Sequence, residues 1–172
     1  YQSDDFNTVT IRPATVCGYS PRQRLDVVVN ILTNLAFHNR EITVFGGSQL
    51  RPNIHISDMI EAYYVLLTAP NKRIAGKIFN AGYENQSVSE IAETVKSVVG
   101  NDVKLKIVPT DDNRSYHISS CKIREELGFV AKYSIREASQ DLVDAFNQGL
   151  ITDSLKDPRY FNIKMMEKIN LQ

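Results

Sequence analysis

Thr8-Val9-Thr10-Ile11-Arg12-Pro13, then Leu25 to His38, then Ile42-Thr43-Val44-Phe45-Gly46-Gly47 are the stretches whose reading decides the fold class. The first is β-branched and apolar and is stopped by proline, which reads as a buried strand. The second places Leu25, Val28, Val29, Leu32, Leu35 and Ala36 at helical spacing. The third is a short strand closed by two glycines. Strand, helix and strand in succession define an α/β chain.

The same alternation continues outward. Asn53 to Ile56 is a further candidate strand. Three helix starts carry the capping-box spacing, in which an N-cap oxygen and an acid three residues on satisfy free amides. They are Asp58 with Glu61, Ser87 with Glu90, and Ser134 with Glu137, and their helices run to about Thr68, Val99 and Asn147. Gly100 and Gly149 stand where C-terminal glycines belong. Lys77 to Asn80 and Lys104 to Val108 read as strands, and Ser120 to Leu127 as a short helix stopped by Gly128. From Asp153 onward the pattern thins, with one or two helical turns over Met165 to Ile169.

A chain of 172 residues that is 42% hydrophobic can bury one ordinary core. Lys plus Arg and Asp plus Glu both number 20, so no global field attracts nucleic acid or an acidic membrane. Any anion is therefore held by a few placed residues. The cysteines Cys17 and Cys121 are far apart and lack Cys-x-x-Cys spacing, which argues against zinc or a disulfide scaffold and for a reducing cytoplasm. The sequons at Asn85 and Asn113 are read as chance, and the apolar runs are too interrupted to span a membrane. The chain opens on Tyr1 and a polar stretch that runs straight into a strand, which reads as a cut through an existing domain.

Five segments in order resemble the C-terminal part of extended short-chain dehydrogenase/reductase enzymes acting on nucleotide sugars. They are Ile11-Arg12-Pro13-Ala14-Thr15-Val16-Cys17-Gly18; Arg24-Leu25-Asp26-Val27-Val28-Val29-Asn30; Ile42 through Pro52 leading into His55-Ile56-Ser57-Asp58; Phe79-Asn80-Ala81-Gly82 with the Ser87 helix start; and Asp112-Asn113-Arg114-Ser115-Tyr116 with Lys122-Ile123 and Glu126-Leu127-Gly128-Phe129. The resemblance implies an α/β fold: the C-terminal part of a Rossmann-type enzyme, with a small mixed α/β substrate-binding domain. Residues 1–24 would hold the last strand or strands and turn of the NAD-binding domain, 25–150 mainly the substrate domain, and 151–172 a tail.

It also implies NAD as cofactor, a nucleotide-diphosphate sugar as substrate, and a possible homodimer of the intact enzyme. Epimerase is the first reading; a 4,6-dehydratase, or a non-catalytic NAD- or nucleotide-binding regulatory protein of the same fold, are the alternatives. The eight glycines include no Gly-x-Gly-x-x-Gly, so the glycine-rich loop is expected upstream together with the catalytic Tyr and Lys. Tyr160-x-x-x-Lys164 has the right spacing but follows Pro158 near the C-terminus and is read as coincidental.

A buried diphosphate needs cations of fixed geometry, and the guanidinium fork suits phosphate oxygens. By resemblance, Arg51 after the glycine turn and Arg114 in a polar loop before a Tyr116 strand hold the diphosphate from two sides. Val44 and Phe45 would lie against the base, Phe45 equally suiting a core. Leu25 would sit near the phosphates at a helix N-terminus. The Pro13 to Val16 turn is expected to face the nicotinamide and the sugar, with Thr15 where many relatives carry Asn. Asn80 suits either a sugar or phosphate contact or a strand-end turn. His55 is read as structural, Asp58 as an N-cap, and Arg22 and Arg24 as a solvated loop.

Overall fold

The computed structural model describes residues 3, 6–111 and 114–170. Asp112 and Asn113, the acceptor of the second sequon, lie outside the described residues.

Three small sheets share the chain. β1 (Thr10–Pro13) pairs in parallel with β5 (Ile78–Ala81), Ile11 opposite Phe79 and Pro13 opposite Ala81. β2 (Thr15–Cys17) runs parallel to β4 (Leu50–His55), which is antiparallel to β6 (Glu84–Ser87). β3 (Glu41–Phe45) runs parallel to β7 (Lys104–Val108). The first strand is thus shifted from the sequence expectation. Pro13 lies within it, because a proline is tolerated where no ladder hydrogen bond from its nitrogen is required. It is largely exposed rather than buried, and β5 gives it a parallel neighbour on one side.

α1 (Val28–Asn39) begins three residues later than the apolar spacing predicts, after Val27 in an extended conformation. α2 (Ile56–Thr68) is capped not by Asp58 but by His55, whose ring accepts from the Ser57 amide at 3.1 Å. Asp58, buried inside the first turn, instead accepts from the amides of Lys132 (3.0 Å to each oxygen) and Tyr133 (2.9 Å). The expected boxes at Ser87 and Ser134 do form, opening α4 (Val88–Val99) and α6 (Ile135–Asn147). A short α3 (Asn71–Ile74), α5 (Cys121–Leu127), a 3-10 turn at Pro158–Tyr160 and α7 (Asn162–Lys168) complete the chain. No strand forms at Tyr116; its amide makes one 3.4 Å bond to the Leu50 carbonyl.

The core has three parts. Val29, Leu32 and Ala36 of α1 pack with Ile42 and Val44 of β3 and Ile91, Ala92 and Val95 of α4. Met59, Ala62 and Leu66 of α2 pack on Ile54, Phe79 and Ile123. Leu25 joins Leu142, Ala145, Phe146 and Ile151, with Tyr160 and Phe161 of the tail against them. The tail is thereby drawn onto the segment preceding α1. Among the described residues, no helix is long and apolar enough to cross a membrane.

Candidate functional site

Of the cavities along the segment from Gly18 to Val27, two gather residues expected in the site. The first, about 260 Å³, is lined by Asp26, Val28 and Ile31 at the start of α1, Phe45 of β3, and Gln49 and Arg51 of β4. The turn from β3 into β4, which belong to different sheets, shapes it. Gly46 and Gly47 both take positive φ (75° and 117°), and a Cβ at Gly47 would stand 2.2 Å from Ser89 Oγ. Gln49 locks the turn by accepting from the Gly47 amide at 2.7 Å and donating to the Phe45 carbonyl at 3.1 Å.

Alternation along β3 then separates two residues expected to act together. Val44 is 1% exposed and belongs to the core, whereas Phe45 is 61% exposed and forms cavity wall. Val44 therefore does not present its side chain to a base in this cavity, and the core reading of Phe45 is corrected. Arg51 is a strand residue rather than a loop residue. Its Nη1 donates to the Leu50 carbonyl at 3.0 Å and to the carbonyl of Arg114, and its guanidinium lies 5.8 Å from the Tyr116 ring centre. Ser115 Oγ accepts from the Leu50 amide at 3.0 Å, which fixes the Arg114 segment alongside. The Arg114 backbone is thus brought beside the Arg51 guanidinium. Beside them, Asn53 Oδ1 and Gln86 Oε1 are buried with no hydrogen-bond partner among the described residues, Gln86 lying directly opposite Arg51.

Asp26 was not singled out by the sequence. Its partial burial pushes the carboxyl upward. Arg24 Nε at 2.9 Å and the Asn162 amide at 2.8 Å outweigh this and hold it below the ordinary carboxylate range. It stays a carboxylate in the cavity wall. Leu25 next to it is fully buried and its amide donates to the Tyr160 carbonyl at 2.8 Å, so neither its side chain nor its N–H is presented to phosphate. The physical reason is that α1 starts three residues after Leu25, which leaves it as a core anchor.

The second cavity, about 290 Å³, brings Pro13 and Val16 together with Gly18, Arg24, Asn30 and Tyr63. Pro13 to Val16 is not one turn, since Thr15 already belongs to β2. Thr15 stands opposite Asn53, and alternation sends its side chain away from that of Val16. Asn30, buried on α1, accepts from the Gly18 amide at 3.1 Å and donates to the Arg24 carbonyl at 2.8 Å. It holds the wall between the cavities, a role that its place in an apolar helix pattern concealed. Asn80 is elsewhere, on β5, with its amide 3.5 Å from the Ser119 carbonyl.

His55 is buried; with Nδ1 accepting, its Nε2–H donates to Asp141 Oδ2 at 3.0 Å. Gly18 passes so close that a Cβ there would lie 3.1 Å from that nitrogen. Tyr160 and Lys164 are each engaged elsewhere, Tyr160 in the third core cluster and Lys164 over the Phe161 ring at 4.1 Å. Burial pushes the Cys17 thiol up to about 12, so it is no nucleophile. Among the described residues, no three His, Cys, Asp or Glu side chains gather as metal ligands.

Comparison with known proteins bears on the family and the fold. Residues 1–82 match the model of the NAD dependent epimerase/dehydratase family. UDP-glucuronic acid decarboxylase 6 of Arabidopsis thaliana is 33% identical over 137 residues, 75% of this chain and 38% of that protein. UDP-arabinose 4-epimerase 1 of the same plant is 26% identical over 143 residues, 75% of this chain and 34% of its own length. The crystal structure of UDP-glucose 4-epimerase with UDP-glucose from Thermotoga maritima superimposes with a TM-score of 0.69 at 24% identity. It covers 82% of this chain and 46% of that one. The chain thus spans little more than a third of the curated relatives' length. With α/β topology, ordered motifs and family model in agreement, the chain is similar to the NAD dependent epimerase/dehydratase family, whose model it matches over residues 1–82.

Proposed function

We propose that this chain is the substrate-binding half of an NAD-dependent nucleotide-sugar epimerase whose Tyr, Lys and glycine-rich loop lie upstream of Tyr1. The observation that carries the reading is one cavity lined by an exposed aromatic, Phe45, and a guanidinium, Arg51, with Arg114 alongside. Phe45 offers a flat apolar face to a nucleobase. Arg51 and Arg114 supply charge for the diphosphate. Asp26, anionic in the same wall, repels phosphate and accepts from sugar hydroxyls. The charge pair therefore orients the substrate, with phosphates toward Arg51 and hydroxyls toward Asp26. Thr15 is assigned to the sugar side of the cleft, and Leu25 and Val44 to support behind the site, while Asn80 on β5 stands outside it.

Pro13 and Val16 would close one side of the nicotinamide. At about 290 Å³ their cavity suits one end of a dinucleotide and not the whole of it, which agrees with the rest being held upstream. NAD would supply reversible hydride transfer with a sugar carbon, and the residues of this chain would hold the sugar in place for it. The division at about residues 24 and 150 follows the same reading.

Uridine diphosphate titrated into the purified chain by calorimetry tests it. Binding is expected, weakened about tenfold by Arg51→Ala and again by Phe45→Ala. Heats no larger than dilution, or affinity indifferent to Arg51, would overturn it. Decarboxylation is a second reading, favoured by the 33% identity to a UDP-glucuronic acid decarboxylase. Turnover of UDP-glucuronic acid to a pentose by the chain joined to its upstream half would select it.

A further inference from the structure

The C-terminal tail reaches the wall of the substrate cavity by two successive contacts. The Leu25 amide donates to the Tyr160 carbonyl, and the Asn162 amide donates to Asp26 Oδ2, both at 2.8 Å. The other carboxylate oxygen, Oδ1, accepts from Arg24 Nε at 2.9 Å. These two donors are unequal. Arg24 is 45% exposed, and an exposed ion pair holds its partner weakly. The amide at the start of α7 belongs to the main chain and has no rotamer to lose, so it is the firmer of the two. After these bonds each carboxylate oxygen keeps a lone pair for a further donor. Behind them the tail is latched to α1. Asn34 and Ser154, both buried, are joined twice: Asn34 Nδ2 donates to the Ser154 carbonyl at 3.1 Å, and Ser154 Oγ donates to Asn34 Oδ1 at 2.6 Å. That bond uses the hydroxyl proton, so His38 Nε2 is the donor in its 2.9 Å contact with Ser154 Oγ.

We infer that the tail is a working part of the substrate cleft. Asn162, through its main-chain amide, is a positioning residue for Asp26, and Ser154 anchors the segment that carries it. The inference rests on the proposed function, in which Asp26 accepts from sugar hydroxyls. Hydroxyls arriving from the cavity meet a carboxylate whose orientation is already set, so binding does not have to order it. Tyr160 and Phe161 pack on the cluster of Leu25, Leu142 and Phe146, which holds the tail at the height where its next amide faces Asp26.

Asn162→Pro tests this, because it deletes one donor and little else. Asn162 is the first residue of α7, where proline is tolerated, and Phe161 before it is already extended (φ −126°, ψ 108°), as a following proline favours. Calorimetry with UDP-glucose on the full chain should show affinity lowered roughly fivefold by Asn162→Pro, and in the same direction by Ser154→Ala. Thermal melts check that each variant is folded. In an Asp26→Ala background either change should alter affinity by less than about twofold, which a general loosening of the fold would not reproduce. The acid limb of binding should also move to higher pH in Asn162→Pro. Asp26 must be ionised to accept; burial raises its carboxyl, while Arg24 and the Asn162 amide hold it low. Arg24 and Arg51, the charged side chains nearest that wall, stay cationic throughout. Unchanged affinity in both variants, losses that persist without Asp26, or an unmoved acid limb would each overturn the assignment. Binding that falls with Arg51→Ala but ignores Asn162→Pro removes this inference and leaves the substrate reading standing. No binding of UDP-glucose by the parent chain removes both.

Discussion

Asp58→Ala separates a structural carboxylate from a chemical one. The side chain is 2% exposed and accepts from two backbone amides, those of Lys132 and Tyr133, at 2.9–3.0 Å. Hydrogen bonds to a charged acceptor are worth roughly 1.5–3 kcal/mol each, and two donors lose their partner. Partial rehydration of the exposed Lys132–Tyr133 loop recovers part of the loss, so about 3 kcal/mol is expected. A missing N-cap would cost only about 1 kcal/mol. For a chain of this size about 3 kcal/mol lowers Tm by roughly 6–12 °C. Thermal melts followed by circular dichroism, with urea unfolding as a second measure, read it directly. Asp58→Asn should fall between, because one oxygen remains an acceptor while the new amide faces donors. A melt within 2 °C of the parent would refute the clamp, and lost uridine diphosphate affinity at unchanged stability would return Asp58 to the site.

Other outcomes follow from the same geometry. Val44→Ala should cost about 2 kcal/mol in urea unfolding with little effect on nucleotide affinity, while Phe45→Ala should do the reverse, since only Val44 is buried. Gly47→Ala should destabilise by roughly 1–2 kcal/mol, because φ is 117° and the new methyl meets Ser89. A thiol reagent should titrate one cysteine, Cys121, in the folded chain and both after denaturation. Cys17 also gives a pH signature. Its folded pKa of about 12 exceeds the ordinary 9.0, so above pH 9 the unfolded chain releases a proton that the folded chain keeps. Stability should then fall with rising pH by about 1.4 kcal/mol per unit until pH 12 is approached, and Cys17→Ser should flatten that slope.

The residues that fix local structure were readable from sequence because their reasons are local. The Ser87 and Ser134 boxes, the glycines after β3 and the apolar spacing of α1 each act within a few positions, and the order of the motifs gave the family resemblance. Arg51 and Arg114 were expected on two sides of one diphosphate; the contact itself, between the Arg51 guanidinium and the Arg114 carbonyl 63 positions on, depends on the β3–β4 turn and the Ser115 contact. His55 displaced Asp58 as cap because the amides that claim Asp58 come from a loop 74 residues on. Leu25 belongs to the core for a similar reason, the tail from Tyr160 folding back to take its amide. Val44 and Phe45 look alike in sequence, and the packing of α1 and α4 on one face of β3 decides which is inside. Sequence by itself determined the periods, caps and family resemblance of this protein; tertiary structure decided which polar groups are shared between distant segments and which face of each element meets the cleft.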